Sequence, residues 1–265
     1  MTDLLNSIEK YLKDLSQASS NLIFIDPITN LEEPKIKQQI NSIEKISQTT
    51  KINSSFNMTT DFLDSEKDLF TEKSEWMLTN SLDELYSKIH SCQNCPLGAT
   101  RLNFVFGSGN PNAEIMFIGE APGADEDEQG LPFVGRAGQL LTKIIESINF
   151  KRSEVYIANI LKCRPPGNRQ PTPGETNECQ PYLLKQIELI KPAFIVLLGL
   201  TAADTFFRTK HKMAESRGKI TDFQGIKVLI TYHPAALLRN PDLKRPVWED
   251  VKLLRRLYDE YKKEL

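Results

Sequence analysis

The chain's four cysteines fall into two pairs. Cys92 and Cys95 form a Cys-x-x-Cys step ahead of Pro96, and Cys163 and Cys179 flank the proline-rich segment RPPGNRQPTPGETNE. One intracellular cysteine is usually a buried apolar side chain. Four, each at the edge of an expected element, form a four-thiolate ligand set that suits zinc or a 4Fe–4S cluster. Structural zinc sites usually pair two close knuckles, and the wide second pair here suits a larger cluster, but spacing leaves both open. With all four thiolates committed, the expected site is structural. A second group of reactive residues surrounds the segment IGEAPGADEDEQGLPFVGRAG at 118–138. It contains Glu120, a Pro122-Gly123 turn, the acids Asp125 to Glu128, and Phe133. Asn159 and His233 lie further along.

An apolar run, a glycine-rich loop and a helical pattern in that order suggest a phosphate cradle. The residues argue otherwise. No Gly-x-x-x-x-Gly-Lys-Ser/Thr and no Gly-x-Gly-x-x-Gly occurs in the loop. Four adjacent carboxylates would repel a phosphate. A carboxylate at a strand end, a tight turn and an aromatic returning over the same pocket suit a planar, uncharged heterocycle.

The elements that must position these residues follow from apolar patterning. Four β-rich runs at 114–119, 155–160, 193–199 and 227–232 alternate with helical patterns at 138–148, 173–190, 201–207 and 246–261. Thr172, Pro173 and Glu175 are a strong helix start, and Ser81 with Glu84 forms a capping box for another helix. Alternation of this kind predicts an α/β fold, a three-layer α/β/α sandwich around a central four-stranded parallel sheet. Ligands bind such folds beyond the carboxyl ends of the strands. Glu120, Asn159, Gly199 and His233 all fall there.

Residues 81–265 read as one domain. Residues 1–80 read as an extension: a short amphipathic helix over 1–15, then a polar tether lacking persistent periodicity, a possible docking segment for a protein partner. No apolar run approaches the roughly 20 residues of a membrane span. The acidic, amphipathic N-terminus is unlike a secretory or transit signal, so a cytoplasmic protein is expected, nucleoid-associated if prokaryotic. Net charge is −5 over residues 1–80, −5 over 81–150 and +8 over 151–265. A polyanion would therefore meet the second half, although ordinary solvated surface gives the same asymmetry.

Three stretches, GEAPGADEDEQGLPFVGRAGQLL, NILKCRPPGNRQPTPGE and HPAALLRN, together with the four cysteines, closely resemble the family 4 iron–sulfur uracil-DNA glycosylases. The likeness runs in order from about Ser81 to the C-terminus. It implies a monofunctional, monomeric hydrolase that flips uracil out of DNA, cleaves its N-glycosidic bond and so starts base excision repair. It implies a 4Fe–4S cluster on Cys92, Cys95, Cys163 and Cys179, with zinc as the alternative.

The resemblance also implies residue roles. Asn159 reads uracil: its amide accepts from N3–H and donates to O4, whereas cytosine presents the opposite pattern. Phe133 stacks on the base, and Glu126 lies near C5 to exclude the thymine methyl, leaving Asp125, Asp127 and Glu128 solvated. His233 donates to uracil O2 as charge develops there, helped by backbone N–H groups at Glu120 and Ala121. Glu120 positions the water or the sugar cation, because Ala121 stands where some relatives carry an Asp. Leu237, or else Leu238, is the wedge that enters the duplex. Arg239, Lys244 and Arg245 contact phosphates, as Arg164 and Arg169 would if their loop does not serve the cluster. A related branch bonds covalently to the abasic product through a histidine in an Arg-rich insertion. Here RTKHKMAESRGKI supplies His211 without that pattern, so turnover is expected. A non-catalytic iron–sulfur DNA-binding module and a covalent uracil-DNA binder are the alternatives.

Overall fold

The computed structural model describes residues 74–264. The expected helix over 1–15 and most of the expected tether lie outside the described residues. Ahead of Ser81, a 3₁₀ turn at Glu75–Leu78 sets the Trp76 ring edge-on to Tyr182, centroids 4.8 Å apart.

Among the described residues, six strands form one sheet: β1 (Ser108–Gly109), β2 (Ile115–Gly119), β3 (Tyr156–Asn159), β4 (Phe194–Leu198), β5 (Ile220–Phe223) and β6 (Ile226–Thr231). Their order is β1-β3-β2-β4-β6-β5. The four inner strands are parallel and correspond to the four apolar runs. Strands β2, β3 and β4 are buried along their whole length, which is why they read as continuous apolar stretches. The sequence did not reveal the two antiparallel edge strands. Two residues of β1 are too few to show a period, and β5 is mostly exposed. A turn with positive φ at Gln224 (54°) and Gly225 (83°) returns β5 into β6, as tight hairpins require.

The helices are α1 (Leu82–Ile89), α2 (Ala124–Gln129), α3 (Arg136–Ser147), α4 (Pro173–Ile190), α5 (Leu200–Phe207), α6 (Met213–Ser216), α7 (Pro234–Arg239) and α8 (Lys244–Glu264). Strand side chains alternate between two cores. Ile115 and Phe117 join Leu141 and Ile145 of α3 and Val247, Val251 and Leu254 of α8. Met116 and Ile118 join Leu183 and Ile187 of α4 and Ala202 and Phe206 of α5. The result is the three-layer α/β/α sandwich. Both expected caps are present: Ser81 accepts from Glu84 N–H at 3.1 Å, and the Thr172 N–H donates to the Glu175 carboxylate at 2.8 Å. No helix among the described residues is long and apolar enough to cross a membrane.

Strand β2 is flanked by β3 on one side and β4 on the other. The chain reverses its direction of travel across the sheet at this strand, and a crevice opens at the carboxyl ends where it does so. The acidic segment is not an open loop there. It forms α2, begun at Gly123 and ended by Gly130 in the left-handed conformation (φ 70°).

Candidate active site

A cleft of about 710 Å³ occupies this crevice, and Glu120, Ala121, Phe133, Asn159, Thr201 and His233 are among the residues lining it. Asn159 ends β3 directly opposite Gly119 of β2. It is 2% exposed. Its Oδ1 is, among the described residues, the one buried side-chain polar atom with no hydrogen-bond partner. A buried acceptor left unpaired costs about 1–3 kcal/mol. Gly119 makes room for it: a Cβ at that position would collide with Asn159 Oδ1 and the Phe133 ring.

Phe133 lies buried against His233, ring centroids 5.5 Å apart and planes 34° apart. Its backbone is left-handed, φ 53°, which is uncommon for a bulky residue. His233 caps α7, and its Nδ1 accepts from Ala235 N–H at 3.1 Å. The Nδ1 lone pair is thereby used, so a neutral ring carries its proton on Nε2. Burial, and to a lesser degree the Arg239 charge, push the imidazole down to about 4. At neutral pH it is an uncharged hydrogen-bond donor. Burial raises the Glu120 carboxyl above its ordinary range, opposed by a hydrogen bond from Thr201. Thr201 was missed from sequence. Its signal was its place two residues beyond Gly199, at the end of β4.

Several expected positions change. Leu237 is only 2% exposed and packs in the core beneath α7, whereas Leu238 on the same helix is 41% exposed. Of the two, Leu238 is the leucine turned to solvent. Glu126 turns its carboxylate to backbone N–H groups of Gly123, Val134 and Gly135 at 3.1, 2.9 and 3.0 Å, so its oxygens are committed to the loop rather than to a ligand's edge. Asp127 is not solvated: it is buried and accepts from the N–H groups of Leu102 and Asn103 at 2.9 and 3.3 Å. Arg169 forms a two-pronged ion pair with Glu175, and Arg164 bonds Asn168, so both brace their own loop. Arg239 is exposed at the cleft, with Lys244 and Arg245 exposed at the start of α8. His211 is held by Asp204 at 3.1 Å, outside the cleft lining.

The four cysteines converge on a third core, between α1, the segment after β3, and α4. None is in a disulfide. Hydrogen bonds point at the sulfurs: Arg101 Nη1 to Cys163, the Lys162 N–H to Cys179 and Tyr182 Oη to Cys92, each at 3.3 Å. Donors reach three of the four sulfurs, a guanidinium among them, which fits a group that carries negative charge. Among the described residues, no three His, Cys, Asp or Glu side chains are gathered closely enough to hold a single metal ion.

Parallel sheet, a crevice at the carboxyl ends of its strands and an orphaned amide oxygen within it define an α/β protein with a polar binding cleft. Comparison with known proteins narrows this class. The family profile of the uracil DNA glycosylase superfamily matches residues 106–252. A type-4 uracil-DNA glycosylase of Archaeoglobus fulgidus is 46% identical over 180 residues, covering 65% of this chain and 90% of the relative. One from Thermotoga maritima is 47% identical over 169 residues, covering 62% and 88%. A type-5 uracil-DNA glycosylase of Pyrobaculum aerophilum is 30% identical over 146 residues, covering 49% and 64%. The chain belongs to the uracil-DNA glycosylase superfamily, in its type-4 branch.

Proposed function

We propose that this protein is a uracil-DNA glycosylase that hydrolyses the N-glycosidic bond of uracil flipped out of DNA. The observation that carries the reading is Asn159 Oδ1, buried and unpaired beside Phe133. Uracil N3–H supplies the missing donor, while the Asn159 amide N–H donates to O4. Cytosine offers an acceptor at N3 and would leave Oδ1 unpaired. Phe133 stacks on the ring, a contact worth about 1–3 kcal/mol.

His233 donates Nε2–H to O2, where negative charge grows as the bond to the sugar breaks. Preorganised donors of this kind contribute about 2.7–4 kcal/mol each. A neutral donor suits this role because it needs no proton from solvent. Glu120 faces the opposite charge: its carboxylate stabilises the sugar cation and orients the attacking water, since Ala121 has no polar side-chain atom. Leu238 fills the gap left in the stack, and Arg239, Lys244 and Arg245 bind flanking phosphates.

Cys92, Cys95, Cys163 and Cys179 would hold a 4Fe–4S cluster. When bound, it supplies iron–thiolate bonds that tie α1 to α4. Tetrahedral zinc, with Zn–S of about 2.3 Å, is the alternative occupant of the same four thiolates, and iron analysis of purified protein separates the two. The Asp204 tie on His211 supports turnover over a covalent adduct.

The test is purified protein with a uracil-containing oligonucleotide in excess, followed by alkali and a denaturing gel. Strand cleavage beyond one turnover is expected. No uracil release overturns the reading, and a protein–DNA band stable in detergent replaces it with covalent capture.

A further inference from the structure

We propose that Glu126 is a positioning residue: it sets the width of the base slot, and so the rejection of a 5-methylated pyrimidine, by clamping Phe133 in place. This inference rests on the uracil-glycosylase reading. It differs from a direct clash between the Glu126 side chain and the methyl group.

The clamp is visible in three hydrogen bonds. Glu126 Oε2 accepts from Gly123 N–H at 3.1 Å, and Oε1 accepts from Val134 and Gly135 N–H at 2.9 and 3.0 Å. Gly123 closes the turn that begins at Glu120, so it belongs to one wall of the cleft. Val134 and Gly135 follow Phe133 directly, so they belong to the other. One carboxylate therefore ties the two walls together. Hydrogen bonds to a charged acceptor are stronger than neutral ones, and backbone donors cannot rotate away.

Phe133 needs such restraint. A phenylalanine in left-handed backbone persists only where its surroundings over-determine it. Its other flank is pinned as well: Arg152 Nη2 donates to the Pro132 carbonyl at 2.6 Å. Gly138 lets the first turn of α3 lie on the Phe133 carbonyl, where any Cβ would collide. Held from both sides, the ring sits over Gly119, the residue that also makes room for Asn159 Oδ1. Packed protein interiors respond to a single added methyl group. A ring that cannot retreat excludes thymine without any group placed at C5.

Glutamine is not a conservative replacement here. It keeps one acceptor oxygen and turns an NH₂ donor toward backbone donors. The test is a double-mutant cycle of Glu126→Gln and Phe133→Ala, read as kcat/KM for uracil release from a single-stranded oligonucleotide and as inhibition by free uracil. With Phe133 present, Glu126→Gln should lower kcat/KM by about 10–100-fold, the scale of a misplaced reacting group, and weaken inhibition by free uracil. In the Phe133→Ala background the same change should alter kcat/KM less than about twofold, because the residue it acts through is gone. The ratio of thymine to uracil release should rise above wild type in Glu126→Gln as uracil release falls, because a loosened ring yields to the methyl group. Equal losses in both backgrounds overturn the clamp. So does thymine release by Glu126→Gln with uracil release intact. Should Glu126→Gln fail to fold, Glu126→Asp keeps the charge but falls one methylene short, and the same coupling is expected. An inactive wild-type protein would count against the glycosylase reading itself, whereas additive losses in an active one count against the clamp alone.

Discussion

Asn159 and His233 show how far residue type carries an argument and where environment takes over. Both were legible as polar residues at strand ends. Neither the unpaired Oδ1 nor the neutral ring was, because each depends on neighbours distant in sequence. Asn159→Ala should lower kcat/KM by at least about 100-fold, the scale of a site left without its hydrogen-bonding partner. Its melting temperature should equal or exceed that of the wild type, since a buried unsatisfied acceptor is removed. Thermal melts beside activity assays check this. For His233 the sign follows from burial. Its pKa falls from the ordinary 6.5 to about 4 on folding, so between those values the unfolded chain binds the extra proton and stability declines as pH drops. Activity through a neutral donor should not follow. In a Glu120→Gln variant, which removes the raised carboxyl, residual kcat/KM should stay flat from pH 8 to about 5. An inflection near 6.5 in that variant would place a charged histidine in the reaction.

At the scale of elements, α7 decides between two leucines that sequence could not separate. A helix turns adjacent residues about 100° apart. Leu237 therefore meets the core while Leu238 meets solvent. Leu237→Ala should cost about 2–5 kcal/mol of stability, as buried leucines do, read from denaturant unfolding. Leu238→Ala should leave the melting temperature unchanged and slow uracil release from duplex DNA more than from single strands. Equal slowing on both substrates would remove its role as a wedge. Helix α2 teaches a related lesson. Asp127 read as a solvated acid and Glu126 as a group at the base's C5 edge, yet both cap backbone donors, on segments before and after the helix. Pairing of this kind leaves no periodic trace.

At the scale of the molecule, the cysteine core joins segments far apart in the chain. Cys92 and Cys95 follow α1, Cys163 follows β3, and Cys179 sits within α4. Linking such distant points restricts the unfolded chain most. Cys163→Ser should reduce folded yield, lower the melting temperature and bleach the brown colour expected of an iron–sulfur protein, all measurable on purified material. Full yield and full colour in that variant would remove Cys163 from the ligand set. The cleft lies at the other landmark of the fold, where β2 is flanked on both sides, so one sheet carries both the site and its structural anchor.

Patterns that repeat locally were readable before folding. Buried parallel strands must be apolar throughout, helix starts must cap their free N–H groups, and the motifs around Glu120, Asn159 and His233 keep their order along the chain. These determined the three-layer fold and the family. The edge strands escaped because β1 is too short to show a pattern and β5 is too exposed to need one. The inward turn of Leu237, the clamp made by Glu126, the burial of Asp127 and the lone pair left free on Asn159 were decided only in three dimensions. Each is set by which backbone or side chain arrives opposite it, and that partner is chosen by packing of the whole domain.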